Sequence, residues 1–211
     1  MDTVLERQAI TQRGKRIEFL SIGWNTLEGL VALAAGMVAG SIALVGFGMD
    51  SLIEVASALA LIWRMSLDAD IHARGQNEKT TLRIVGLCFL GLAAYVAFES
   101  AFDLARRQSP ALSFVGMALT CTSLVVMPLL SRAKKRIAKE LGSRAMEADA
   151  KQADFCAYLS AITLAGLLLN AAFSWWWADA TAALVMVPLI AKEGIQAVKG
   201  ETCDCHQGDP P

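Results

Sequence analysis

Long apolar runs alternate with short polar stretches along the whole chain. Six runs, at about 17–39, 42–64, 84–104, 111–130, 150–172 and 175–191, approach or exceed the roughly 20 residues a helix needs to cross bilayer hydrocarbon. None alternates with period two, and all are too long for barrel strands. Only Gly40 and Ser41 separate the first two, which predicts a tight helical hairpin. The cluster Trp175, Trp176 and Trp177 marks the turn between the last two and suits a membrane interface. The pattern predicts an all-α integral membrane protein with six transmembrane helices.

Composition agrees. Of the 211 residues, 55% are hydrophobic and 18% charged, fewer charges than the roughly 25% of an ordinary soluble domain. The formal net charge of −1 provides no field for nucleic acid. The distribution of charge is more informative than its sum. Of the 19 lysines and arginines, all but Arg106 and Arg107 fall before the first run, between the second and third, around the fourth and fifth, or after the sixth. By the positive-inside rule both termini are cytoplasmic. The expected organisation is a cytoplasmic segment over 1–16, a transmembrane domain over 17–199 and a cytoplasmic tail over 200–211. The first 16 residues are polar, and the run after them is too long for a signal peptide.

Ionisable residues inside these runs need a reason, because an isolated carboxylate in hydrocarbon costs several kcal/mol. In the second run Asp50 and Glu54 are four apart and share a helix face. Their oxygens repel unless a cation or a shared proton lies between them, so the pair is a natural half-site for a divalent ion. The fifth run carries a second polar stripe, Asp149, Gln152, Cys156 and Ser160. A Cys156 thiolate would be a soft ligand that favours zinc or cadmium over magnesium or calcium. The competing readings are a small buried hydrophobe for Cys156 and helix-end polarity for Asp149 and Gln152. In the first run Asn25 and Glu28 lie at mid-depth beside the hairpin, placed to line the same cavity or to carry protons.

Neither histidine, His72 or His206, lies in a run, and the chain has no G-x-S-x-G, H-E-x-x-H or P-loop. An enzyme is therefore not expected. Five cysteines spread over three runs and the tail are not a disulfide framework. In the tail, Cys203, Cys205 and His206 could grip a soft ion, though not with the spacing of a folded zinc module.

The stretch GSIALVGFGMDSLIEVASALALIW resembles the second span of the cation diffusion facilitator family, whose D-x-x-x-D pattern here reads Asp50-x-x-x-Glu54. WWADATAALVMVPLIAKEGIQAVKG is similar to the family's sixth span, with Asp179 in its A-D dipeptide. The resemblance covers about 23–199 and has no counterpart of the family's cytoplasmic metal-binding domain. It implies a homodimer that exchanges a divalent metal for protons at a site built from spans two and five. The family's H-x-x-x-D in span five would fall on Gln152 and Cys156, and a shift of one turn would bring in Asp149.

These readings together lead to an expectation of a divalent transition-metal exporter of a plasma or bacterial inner membrane. Zinc is the foremost substrate, ahead of cadmium, cobalt or another transition metal. Asp50, Glu54 and Cys156 would be ligands, with Gln152 or Asp149 completing the shell. Two rivals compete: a non-transporting membrane protein that senses or buffers metal through the same pocket or only the Cys203–Cys205–His206 tail, and a proton-coupled exporter of organic cations with Glu28 and Asp50 as proton-linked carboxylates and Trp24 and Trp63 as aromatic contacts.

Overall fold

A computed structural model of the chain describes residues 2–66, 71–108, 110–141 and 144–199. They form six helices, α1 (Asp2–Ala39), α2 (Ile42–Ser66), α3 (Ile71–Arg106), α4 (Phe114–Leu141), α5 (Arg144–Phe173) and α6 (Ala178–Lys199), with no strand among the described residues. Each contains a segment long and apolar enough to cross a membrane. The all-helical, six-span architecture predicted from the apolar runs is the one the chain adopts. The tail residues Cys203, Cys205 and His206 lie outside the described residues.

The helices do not begin and end where the apolar runs do. α1 starts at Asp2 and α3 at Ile71, well before their runs at 17 and 84. Hydropathy measures the apolar thickness to be crossed, whereas helical hydrogen bonding continues into polar sequence until something stops it. At the opposite end of the bundle the helices start late. α4 begins at Phe114 rather than 111, because the Ser113 hydroxyl accepts the Gly116 N–H at 3.1 Å, an N-cap. The Ala111 N–H instead reaches across to the Ala39 carbonyl at 2.7 Å. α6 begins at Ala178 rather than 175, because the Trp175 carbonyl accepts the Ala178 N–H at 3.0 Å in a turn. In that turn the Phe173, Trp175 and Trp177 rings stack at centroid distances of 5.1 and 4.9 Å.

The tight α1–α2 hairpin requires Gly40, whose φ of 67° falls in the left-handed region. Helices α1, α2, α4 and α5 pack around a common interior, and α3 and α6 form a close pair beside α2 and α5. That pair depends on small residues: a Cβ on Gly86 would lie 2.7 Å from the Gly194 carbonyl oxygen and 2.7 Å from the Val198 nitrogen.

The distribution of polarity is inverted relative to a soluble bundle. Large apolar side chains such as Leu20, Leu30, Val38, Phe98, Val125 and Tyr158 point outward, as a lipid-facing surface requires. The interior mixes apolar residues with a dense polar set. In α1, Glu18, Ser21, Asn25, Glu28 and Ala32 are all buried, at spacings of three and four. In α4, Thr120, Ser123, Met127, Ser131 and Lys134 follow the same rhythm. These are the seams of a helical bundle, here filled largely with polar groups.

Candidate cation site

The polar seams of α1, α2 and α5 meet midway along the bundle. On α2, Asp50, Ser51 and Glu54 all face the interior, because positions three and four apart share one side of a helix. Asp50 is 2% exposed and Glu54 1%. On α1, Asn25 and Glu28 are buried, and on α5 so is Cys156. The structure thus gathers five of the residues singled out from the sequence into one buried region.

Glu28 is its junction. Its Oε2 accepts a hydrogen bond from the Ser51 hydroxyl at 3.1 Å, and the Cys156 thiol lies 3.8 Å from the same oxygen. One carboxylate oxygen therefore ties α1 to α2 and α5. The other, Oε1, has no hydrogen-bond partner among the described residues. Glu54 is more isolated still, since neither of its oxygens has a partner among the described residues. Asn25 stands beside it, within reach of an interaction but without a well-formed hydrogen bond. Asp50 lies within electrostatic reach of Glu54, Glu28 and Cys156. Below Cys156 the α4–α5 contact is polar as well, with Ser160 donating to the Cys156 carbonyl at 2.8 Å and bonded to Ser123 at 3.1 Å.

Three carboxylates and a thiol confined to one low-dielectric region repel one another when ionised, and they are stabilised by a cation or by protons. They are not gathered into a closed cage. Among the described residues no three His, Cys, Asp or Glu side chains converge closely enough to hold a metal ion.

The remaining two residues of the span-five stripe sit elsewhere. Gln152 is only half-buried, and the helical seam passes instead through the fully buried Ala153. Asp149 is buried but pairs with Lys134 of α4. Lys134 is fully buried, and its Nζ also lies 3.4 Å from Glu18 Oε2 of α1. Neither Glu18 nor Lys134 stands out in the sequence, where Lys134 is one of the basic residues between the fourth and fifth runs. The signal was present. Glu18 is seven before Asn25 and ten before Glu28, and Lys134 is seven after Met127, so heptad spacing places both on the buried seams.

Asp179 plays a different part. Its Oδ1 accepts from the Ser41 hydroxyl at 2.5 Å and its Oδ2 from the Ala43 N–H at 3.3 Å. Ser41 in turn accepts the Leu44 N–H at 3.1 Å. The first acidic residue of α6 thereby caps the N-terminus of α2 and fastens one helix to the other.

A six-helix membrane bundle that keeps three carboxylates and a thiol in its interior, both Glu54 oxygens without a partner among the described residues, has the layout of a membrane protein that handles cations. The comparison with known proteins places it within that class. The model of the cation efflux transmembrane domain matches residues 19–201, and the chain belongs to this family, one of transporters rather than enzymes. Two relatives illustrate the likeness. Transmembrane protein 163 of Xenopus laevis is 24% identical over 196 residues, covering 90% of this chain and 68% of that protein. A protein named as an uncharacterized transporter in Methanocaldococcus jannaschii is 29% identical over 187 residues, covering 82% of this chain and 63% of that protein. The chain thus spans about two thirds of the length of these relatives.

Proposed function

We propose that this protein carries a divalent transition-metal cation, zinc foremost, out of the cytoplasm across a plasma or bacterial inner membrane in exchange for protons, as a homodimer. The observation that carries the reading is the pair of buried Glu54 oxygens, without a hydrogen-bond partner among the described residues, beside Asp50, Glu28 and Cys156. A polar group that is buried and left unsatisfied costs free energy, and a transported cation is what would offset it.

In this reading Asp50, Glu54 and Cys156 are the principal ligands. Glu28 is the fourth donor, because its carboxylate already reaches the Cys156 thiol. Two or three oxygens with one sulfur suit the tetrahedral preference of zinc and admit cadmium or cobalt. Because the donors are spread out, loading would draw α1, α2 and α5 together. Coordination requires deprotonated carboxylates and thiol, so metal and protons compete for the same groups. Zinc affinity would fall as pH falls, and acid on the receiving side would drive release. Alternating access would be a rocking of the helix bundle about this midplane site.

The test is zinc-driven proton flux in proteoliposomes, with the wild type and Asp50→Ala side by side. Flux in the wild type that vanishes in the variant is expected. Equal flux in both would remove the α2 carboxylates from the transport site.

A further inference from the structure

Between the midplane donors and the end of the bundle where α1 begins and α6 ends stands a fully buried ammonium. Lys134 projects from α4, pairs with Asp149 of α5, and lies 3.4 Å from Glu18 of α1. It is also within electrostatic reach of Glu54 on α2. One side chain thus holds three helices directly and faces the fourth. The surrounding acids outnumber it. Glu18 Oε1, Asp149 Oδ1 and both Glu54 oxygens have no hydrogen-bond partner among the described residues. Glu18 and Glu28 are ten residues apart on α1, so the two lie about 15 Å apart along that helix at 1.5 Å per residue, with Glu54 facing the space between.

A buried pair designed only for stability would be better replaced by apolar packing, since desolvation of two charges offsets most of their attraction. An ammonium on a flexible stem is different from a fixed apolar plug: it can leave its carboxylates when another cation takes its place.

We propose that Lys134 is a tethered counter-cation that seals the approach to the Glu54 level from the end of the bundle where α1 begins and α6 ends, and that an incoming divalent cation displaces it from Glu18 and Asp149. Lys134 is a positioning residue, because it touches the acids rather than the transported ion. The displacement half of the proposal rests on the cation-transport reading above, whereas the seal does not.

The experiment uses the full chain with its five cysteines replaced by serine and a single reporter, Ser21→Cys, in nanodiscs. Ser21 is buried one turn inward of Glu18. The probe is a charged methanethiosulfonate reagent. With Lys134 in place the reporter reacts slowly. In Lys134→Met it reacts about tenfold faster or more, as expected when a closed segment opens locally. Lys134→Arg stays slow, and Lys134→Asp combined with Asp149→Lys restores slow reaction. Glu18→Gln leaves the Lys134–Asp149 pair intact and gives an intermediate rate. If Lys134→Met is not monodisperse, Glu18→Gln decides. An unchanged rate in the deciding variant overturns the seal.

A second readout addresses displacement in the cysteine-containing protein. Removing the competing ammonium lowers the zinc concentration for half-maximal flux in Lys134→Met while maximal flux also falls. A half-saturating concentration that stays the same or rises overturns displacement. Absence of zinc flux in the wild type would count against the transport reading and this half alone, leaving the labelling result to judge the seal.

Discussion

Two buried acids on neighbouring helices show opposite uses of the same chemical group. Asp179, where α6 meets the α1–α2 turn, has a partner for each carboxylate oxygen, a hydroxyl for one and a backbone N–H for the other. Glu54, one helix away and nearer the end where α1 begins and α6 ends, has none for either among the described residues. Both are almost completely excluded from solvent. Burial alone therefore does not distinguish a structural acid from one available to a ligand. The difference lies in whether the surrounding backbone and side chains have already supplied its hydrogen bonds. Asp179 completes a helix cap and leaves nothing over, whereas Glu54 keeps its full coordinating capacity.

The largest contrast should come from neutralising each acid. Glu54→Gln removes a coordinating charge while keeping shape, and zinc flux is expected to fall to background. Stability should hold or rise, because the desolvation of an uncompensated charge is relieved. Flux and thermal unfolding of the purified protein, measured together, check both halves. Retained flux, or a marked loss of stability, would place Glu54 in the same structural role as Asp179.

Next in size is the effect of the thiol. Cys156→Ser keeps a small buried group beside Glu28 but replaces a soft donor with a hard, neutral one. The ratio of cadmium to manganese flux should fall by roughly tenfold, comparable to other changes around metal sites. An unchanged ratio would make Cys156 a packing residue, and an unchanged uptake of organic cations alongside it would favour the organic-cation rival.

The contrast also bears on what could be read without coordinates. Six spans were legible because apolar length is a property of sequence alone. So were Asp50 and Glu54, since charges in an apolar run are conspicuous. Their partners were less so. Glu28 belonged to the first run, but its approach to Ser51 and Cys156 depends on how α1 packs against α2 and α5, which spacing within one helix cannot give. Glu18 and Lys134 were obscured for a further reason: each lies where a run fades into polar sequence, and a lysine there reads as a solvated loop charge. The buried rhythm of their helices was the one available sign. The Asp179 cap joins residues 138 positions apart, and no local pattern foretells it.

The smallest expected effect is the most discriminating for Asp179. Asp179→Ala deletes the acceptors for Ser41 and the Ala43 N–H and should cost about 1–2 kcal/mol, the size of a lost helix cap. Asp179→Asn is different. Its carbonyl can still accept the Ala43 N–H, but its amide nitrogen cannot accept the Ser41 hydroxyl proton, so one hydrogen bond is lost and one kept. The change should cost about 0.5–1 kcal/mol, the size of one lost hydrogen bond and less than alanine. Zinc flux should survive it. Thermal unfolding and flux of the two variants against wild type test this directly. If asparagine is as damaging as alanine, the negative charge itself holds α2 to α6, through the positive end of the α2 dipole rather than through hydrogen bonds. If asparagine is stable but silent in transport, Asp179 joins Glu54 as an acid the transported cation uses, and the division between the two regions fails.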